Sequence, residues 1–143
     1  LILMPGDIID DIKPLQGAEM FLDQVSAIAP CYYCTGNHEN IETLITLPEV
    51  KARVRQAGIT VLDKTRETIT IRGTKLTLCG VDDPRKYAYI DRDQQEEVQL
   101  MNELGSMQDC PEYTILLAHR PERSPIYAQF GFDLIVSIAS IYS

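Results

Sequence analysis

No apolar run in the 143 residues approaches the roughly 18 that a membrane-spanning helix needs, and no signal-peptide pattern is present, so neither is read in the chain. Internal repeats and low-complexity linkers are also lacking, and no glycine-rich phosphate loop opens a helix, which weighs against a metal-free phosphate-binding domain. Basic residues are scarce, 13 against 21 acidic ones, for a net charge of -8. That balance repels phosphate backbones and anionic membrane surfaces and excludes general nucleic-acid binding. It leaves room for chemistry on phosphate esters only where carboxylates hold divalent cations that reverse the local field. There are only two histidines, His38 and His119. Of the four cysteines, Cys31 and Cys34 form a C-x-x-C, but no second pair stands at zinc-finger spacing. A redox C-x-x-C opens a helix, whereas Cys31 and Cys34 fall on a predicted strand, where positions three apart point to opposite faces. They read as buried, reduced thiols, as do Cys79 and Cys110.

What is present is one core's worth of apolar residues, 45% of a 16.1 kDa chain, so residues 1–143 read as a single domain. Short apolar runs alternate with helical patterns, which predicts β-α units and a parallel or mixed sheet. The expected strands are Leu1–Met4, Cys31–Thr35, Ile59–Leu62, Tyr113–Ala118 and Phe132–Ser137. Glu67–Arg72 and Lys75–Cys79 alternate polar and apolar residues around a turn at Gly73-Thr74 and predict a β-hairpin. Leu15, Ala18, Phe21, Leu22, Val25 and Ile28 follow helical spacing up to Pro30. Pro48 opens a second helix through Val50, Val54 and Ala57, which Gly58 ends. A third runs from about Asp91 to Met107 with Val98, Met101 and Leu104 on the face expected to cover the sheet.

Three polar clusters directly follow predicted strands: Gly6-Asp7, Gly36-Asn37-His38-Glu39 and Ala118-His119-Arg120-Pro121. In open α/β sheets the carboxyl ends of the strands are where sites assemble. Carboxylate, amide oxygen and imidazole suit hard or borderline cations, and Gly6 and Gly36 allow the backbone to turn sharply beside an ion or phosphate. Taken singly, each residue has an ordinary reading. Asp7 could serve as a helix N-cap or turn residue, Asn37 could hold a left-handed turn, His38 could be a surface residue and His119 a hydrogen-bonded strand-end histidine. Asp10 and Asp11 follow the first cluster, Asp10 as a brace of the turn; Asp82-Asp83-Pro84 reads as a strand-end turn, Arg120 as a solvated arginine and Glu39 as a support of the His38 loop.

The motifs Gly6-Asp7-Ile8-Ile9-Asp10, Gly36-Asn37-His38-Glu39 and Leu117-Ala118-His119-Arg120-Pro121-Glu122 resemble, in order and spacing, those of the calcineurin-like metallophosphoesterase family. Gly80-Val81-Asp82-Asp83-Pro84 and His119-Arg120-Pro121-Glu122 resemble its bacterial membrane-associated branch in particular. The resemblance implies an α/β fold, a mixed β-sheet sandwich flanked by helices in four αββα layers. It implies a phosphomonoesterase or phosphodiesterase that acts on a phosphate-ester substrate through two divalent metal ions (manganese, iron or zinc) and a metal-activated hydroxide. Asp7 would bridge both ions, Asn37 and His119 would bind the second, and His38 would face the phosphate and protonate the leaving alkoxide. The domain itself reads as soluble, and membrane association would rest on an anchor outside the chain.

The pattern departs from the family at both ends. The Asp-x-His that precedes Gly-Asp has no counterpart before Leu1, and the Gly-His-x-His after the last strand has none where Ser137-Ile138-Ala139-Ser140-Ile141 stands. We expect the chain to be incomplete at the N-terminus and near the C-terminus, and metal-poor as it stands. The competing reading is a metallophosphoesterase-fold protein without a working metal site that acts as a binding scaffold.

Overall fold

In the computed structural model, alternation along the short strands decides which residues meet. The structure describes residues 1–9, 14–40, 45–84 and 92–138, with the side chains of 92–94 excepted. Strands β1 (Ile2–Met4), β2 (Cys31–Tyr33) and β3 (Thr60–Val61) form a parallel sheet in the order β1-β2-β3. Strands β4 (Thr65–Ile71), β5 (Thr74–Gly80), β6 (Tyr113–Leu117) and β7 (Leu134–Val136) form a second, mixed sheet in that order, antiparallel only between β4 and β5.

Odd and even positions of the strands serve different layers. Tyr32, Cys34, Leu62, Leu78, Ile115 and Leu117 form the core between the two sheets. Met4, Cys31, Tyr33 and Val61 turn to the other side and pack with Leu22 of helix α1 (Leu15–Ser26) and Val54 of helix α2 (Leu47–Gln56). Cys79, Leu116 and Ala118 turn outward from the second sheet onto Leu100 and Leu104 of helix α3 (Arg92–Gly105) and Ile126 and Tyr127 of the short α4 (Ser124–Tyr127). The result is the expected sandwich of four layers, helices, sheet, sheet, helices. Cys31 and Cys34 sit in different cores, as opposite faces of one strand require, and burial pushes both thiols up. All four cysteines are free, three of them buried and Cys110 partly exposed.

Local chemistry explains the boundaries. Thr46 caps α2 reciprocally: the Glu49 N–H donates to the Thr46 hydroxyl at 3.4 Å and the Thr46 N–H to the Glu49 carboxylate at 2.7 Å, with Pro48 in the first turn. The hairpin loop is Arg72-Gly73, one residue earlier than expected. Both take positive φ, 49° and 83°, the geometry that matches the twist of paired strands.

Two helical faces differ from the sequence reading. In α1, Leu22 is buried and Val25 packs beside it, while Phe21 and Ile28 are 46% and 76% exposed. Among the described residues the first sheet has three short strands and α2 covers part of it, so a narrow stripe of α1 suffices. In α3 the buried stripe is Glu96, Leu100, Glu103 and Leu104, continued by Met107, and Val98 points to solvent. The two acids are tolerated inside because Arg123 donates to Glu96 at 3.3 Å and Gln99 to Glu103 at 3.2 Å. Truncation should separate the faces: Leu104→Ala is expected to cost about 2–5 kcal/mol in urea unfolding. Val98→Ala should stay within roughly 0.5 kcal/mol. Equal losses would show that α3 packs through the face the sequence suggested.

Candidate active site

The strand ends β1, β2, β5 and β6 point the same way, and the four loops that leave them meet at one edge of the sandwich. Two glycines make the meeting sterically feasible. A Cβ on Gly6, at φ 93°, would lie 2.4 Å from the Gly36 nitrogen, and a Cβ on Gly36 would lie 2.3 Å from Asp7 Oδ1 and 2.8 Å from His119 Cε1. Asp7 follows with φ 56°, a left-handed conformation that Asp tolerates better than most residues.

The buried Glu39 carboxylate fastens the turn. Its oxygens accept the backbone N–H groups of Asp7 at 3.0 Å, Ile8 at 2.7 Å, Ile9 at 3.1 Å and Gly36 at 2.8 Å. Glu39 therefore supports the Asp7 loop as well as its own, a wider role than the sequence reading assigned to it.

Asp7, Asn37, His38 and His119 come together. The His38 N–H donates to Asp7 Oδ1 at 3.1 Å. His119, only 3% exposed, has Nδ1 2.7 Å from the Pro5 carbonyl, so Nδ1 carries the hydrogen and donates it. Its Nε2 then faces two oxygens, Asn37 Oδ1 at 2.9 Å and Asp7 Oδ2 at 3.3 Å. Burial opposes charge on both partners. The Asp7 contact and the Pro5 carbonyl nevertheless raise the His119 pKa, and the bonds that Asp7 makes to His119 and to the His38 N–H hold Asp7 below its ordinary value.

Three electron-pair donors of carboxylate, amide and imidazole type thus aim at one point, an arrangement that repels itself unless a proton or a cation lies among them. The committed Nδ1–H leaves Nε2 as the ligating atom, the orientation that a metal-bound imidazole requires. The donor set fits a divalent cation of borderline character. Among the described residues, no group of three or more His, Cys, Asp or Glu side chains forms a cluster fit for a metal, and this edge brings together only two of that kind, Asp7 and His119, with the Asn37 amide.

Other residues at this edge differ from the sequence reading or were not anticipated. Arg120 is not solvated: its side chain is 15% exposed and donates to Asp83 from Nε at 2.6 Å and Nη2 at 3.3 Å. Asp82 and Asp83 do follow β5, but both are buried. Asp82 accepts from Lys51 at 2.5 Å and from the Thr35 hydroxyl at 2.8 Å. Asn40 and Lys51 were not singled out; the signal for them was the Asp-Asp-Pro itself, a strand-end polar run on the same edge that needed partners. Asp10 and Asp11 lie outside the described residues.

Comparison with known proteins agrees with this fold. No family model matches the chain. A Caenorhabditis elegans protein named "Putative metallophosphoesterase" is 32% identical over 127 residues, 88% of this chain and 25% of that protein. The chain therefore spans about a quarter of the relative's length. A solved NAD nucleotidase of Haemophilus influenzae, NadN, superposes with a TM-score of 0.61 at 20% identity over 99% of this chain and 29% of NadN. The fold is thus that of a metallophosphoesterase-like αββα sandwich. The similarity to the relative runs over most of this chain, and the neighbour shares its fold.

Substitution of Glu39 by Gln tests the edge. The amide keeps the size but offers one acceptor oxygen in place of two and turns N–H groups on backbone donors. Glu39→Gln is expected to lose about 1–3 kcal/mol or more for the buried donors left without a partner, read by urea unfolding. Wild-type stability in this variant would show that the four backbone bonds do not hold the edge.

Proposed function

We propose that the protein carrying this chain is a metal-dependent hydrolase of phosphate esters. The observation that carries the reading is the convergence of Asp7 Oδ2, Asn37 Oδ1 and His119 Nε2, with His119 Nδ1 committed to Pro5. Asp7, Asn37 and His119 would hold the metal, manganese, iron or zinc, and the dinuclear form of the reading has Asp7 shared between two ions. Divalent ions at such a site supply positive charge for the phosphoryl oxygens and acidify water.

This chain's residues do the rest. Glu39 and the two glycines keep the Asp7 turn in place, and the Pro5 carbonyl fixes the His119 tautomer. His38, whose backbone N–H is tied to Asp7, would face the phosphate and give a proton to the leaving alkoxide oxygen. The net charge of -8 does not oppose an anionic ester once cations occupy the site. The segments Gly80–Pro84 and His119–Glu122 favour the bacterial membrane-associated branch of the family; no helix among the described residues is long and apolar enough to cross a membrane.

Separate replacement of Asp7 and His38 tests the assignment. Asp7→Ala should lower metal content and activity together, as measured by elemental analysis and hydrolysis of phosphate monoesters and diesters, nucleotides included. His38→Ala should leave metal content unchanged while the rate falls roughly 10²–10⁴-fold. Aryl esters, whose leaving groups need little protonation, should suffer less than alkyl esters. Loss of metal in His38→Ala, or equal harm to both ester types, would overturn the general-acid role. A wild-type protein that binds no divalent ion would favour the scaffold reading.

A further inference from the structure

We infer that the buried Asp83 carboxylate is a positioning residue: through Asn40 on one side and Arg120 on the other it sets the separation of Asn37 and His119. The inference rests on the divalent-cation reading of the site.

Asn37 and His119 lie in loops that follow strands of different sheets and stand 82 positions apart in sequence. Within a sheet, strand spacing is set by backbone hydrogen bonds, but two sheets packed face to face meet only through side chains. The distance between ligands on opposite sheets therefore needs a polar tie at the edge where they emerge.

Asp83 supplies one. It is fully buried and follows β5, the neighbour of β6. On the side of the second sheet, Arg120, adjacent to His119, donates to both Asp83 oxygens at 2.6 and 3.3 Å. On the side of the first sheet, Asn40 Nδ2 lies 3.3 Å from Asp83 Oδ1, 3.3 Å from the Asp83 carbonyl and 3.2 Å from the Gly36 carbonyl. The Asn40 N–H donates to the Asn37 carbonyl at 3.3 Å, which ties Asn40 to the residue it positions. The Asp83 N–H closes the tie on the Thr35 hydroxyl at 3.2 Å.

A buried ion pair gives little net stability over an apolar pair of the same shape, but it demands one geometry, because the planar guanidinium fork fits a carboxylate in few ways. Here that geometry is transmitted to the two ligands that must span the sheets. Partners that orient metal ligands commonly govern affinity for the ion without touching it.

The test is Mn2+ affinity, measured by titration calorimetry on the full-length protein that carries this chain, in parallel with unfolding by urea. Asp83→Asn keeps the side-chain volume and is the variant of choice where Asp83→Ala does not fold. Asp83→Asn is expected to bind Mn2+ about 10–100-fold more weakly than wild type. Arg120→Lys, which keeps the cation but not the two-point fork, should fall between them. Leu104→Ala, a core variant of comparable or greater instability, should bind Mn2+ as wild type does. Wild-type affinity in Asp83→Asn, or an equal loss in Leu104→Ala, overturns the positioning role while leaving the metal reading intact. Absence of Mn2+ binding by the wild type overturns the metal reading, and this inference with it.

Discussion

The Glu39 carboxylate, surrounded by the N–H groups of Gly36, Asp7, Ile8 and Ile9, is the contact on which the edge of the sandwich depends. A buried carboxylate is costly to desolvate, and four backbone donors are costly to leave unpaired; joined, the two costs cancel. The joint has a directional consequence. It pulls the loop after β1 onto the loop after β2 so closely that neither Gly6 nor Gly36 has room for a Cβ, and it forces Asp7 into a left-handed backbone. The Asp7 side chain is thereby turned to the His119 ring that arrives from the other sheet.

Packing alone would not produce that encounter. The core between the sheets, built from Tyr32, Cys34, Leu62, Leu78, Ile115 and Leu117, holds two faces together and leaves their lateral offset open. Polar ties at the carboxyl edge remove the freedom. His119 donates to Pro5, Asn40 donates to the Asp83 carboxylate that Arg120 holds from its own sheet, and Lys51 of α2 bridges Asp63 and Asp82 at 2.6 and 2.5 Å, joining a helix of the first sheet to a strand end of the second. Buried ionic groups of this kind specify one arrangement more than they add stability.

Much of this was legible in sequence wherever one local pattern carried the information. Apolar runs that stop at Gly-Asp, Gly-Asn-His-Glu and Ala-His-Arg mark strands whose polar loops converge, and Asp7, Asn37, His38 and His119 are brought together at one edge. What was not legible depends on pairs distant along the chain. Arg120 read as solvated because its partner, Asp83, lies 37 positions away. The face of α3 was misread for a related reason: Glu96 counts as polar in any periodicity, yet Arg123, 27 positions on, makes it an interior residue. Local spacing sees residue types, whereas burial of a charge is decided by a partner that spacing does not reveal.

The acids of the edge differ in what satisfies them. Glu39 is matched by backbone N–H groups, Asp82 by Lys51 and Thr35, and Asp83 by Arg120 and Asn40, all of them hydrogen-bond donors. Asp7 also receives the His38 N–H, but its other oxygen faces an imidazole nitrogen that bears a hydrogen only when the ring is charged. That oxygen and the Asn37 carbonyl both compete for the same Nε2 position. Of these four carboxylates, Asp7 is therefore the one whose local balance is open to exchange, since a divalent cation can take the place of the proton and satisfy carboxylate, amide and imidazole at once. The paired acids around it hold the edge in one arrangement, and on the proposed reading such an exchange would let a chain of net charge -8 accept an anionic ester.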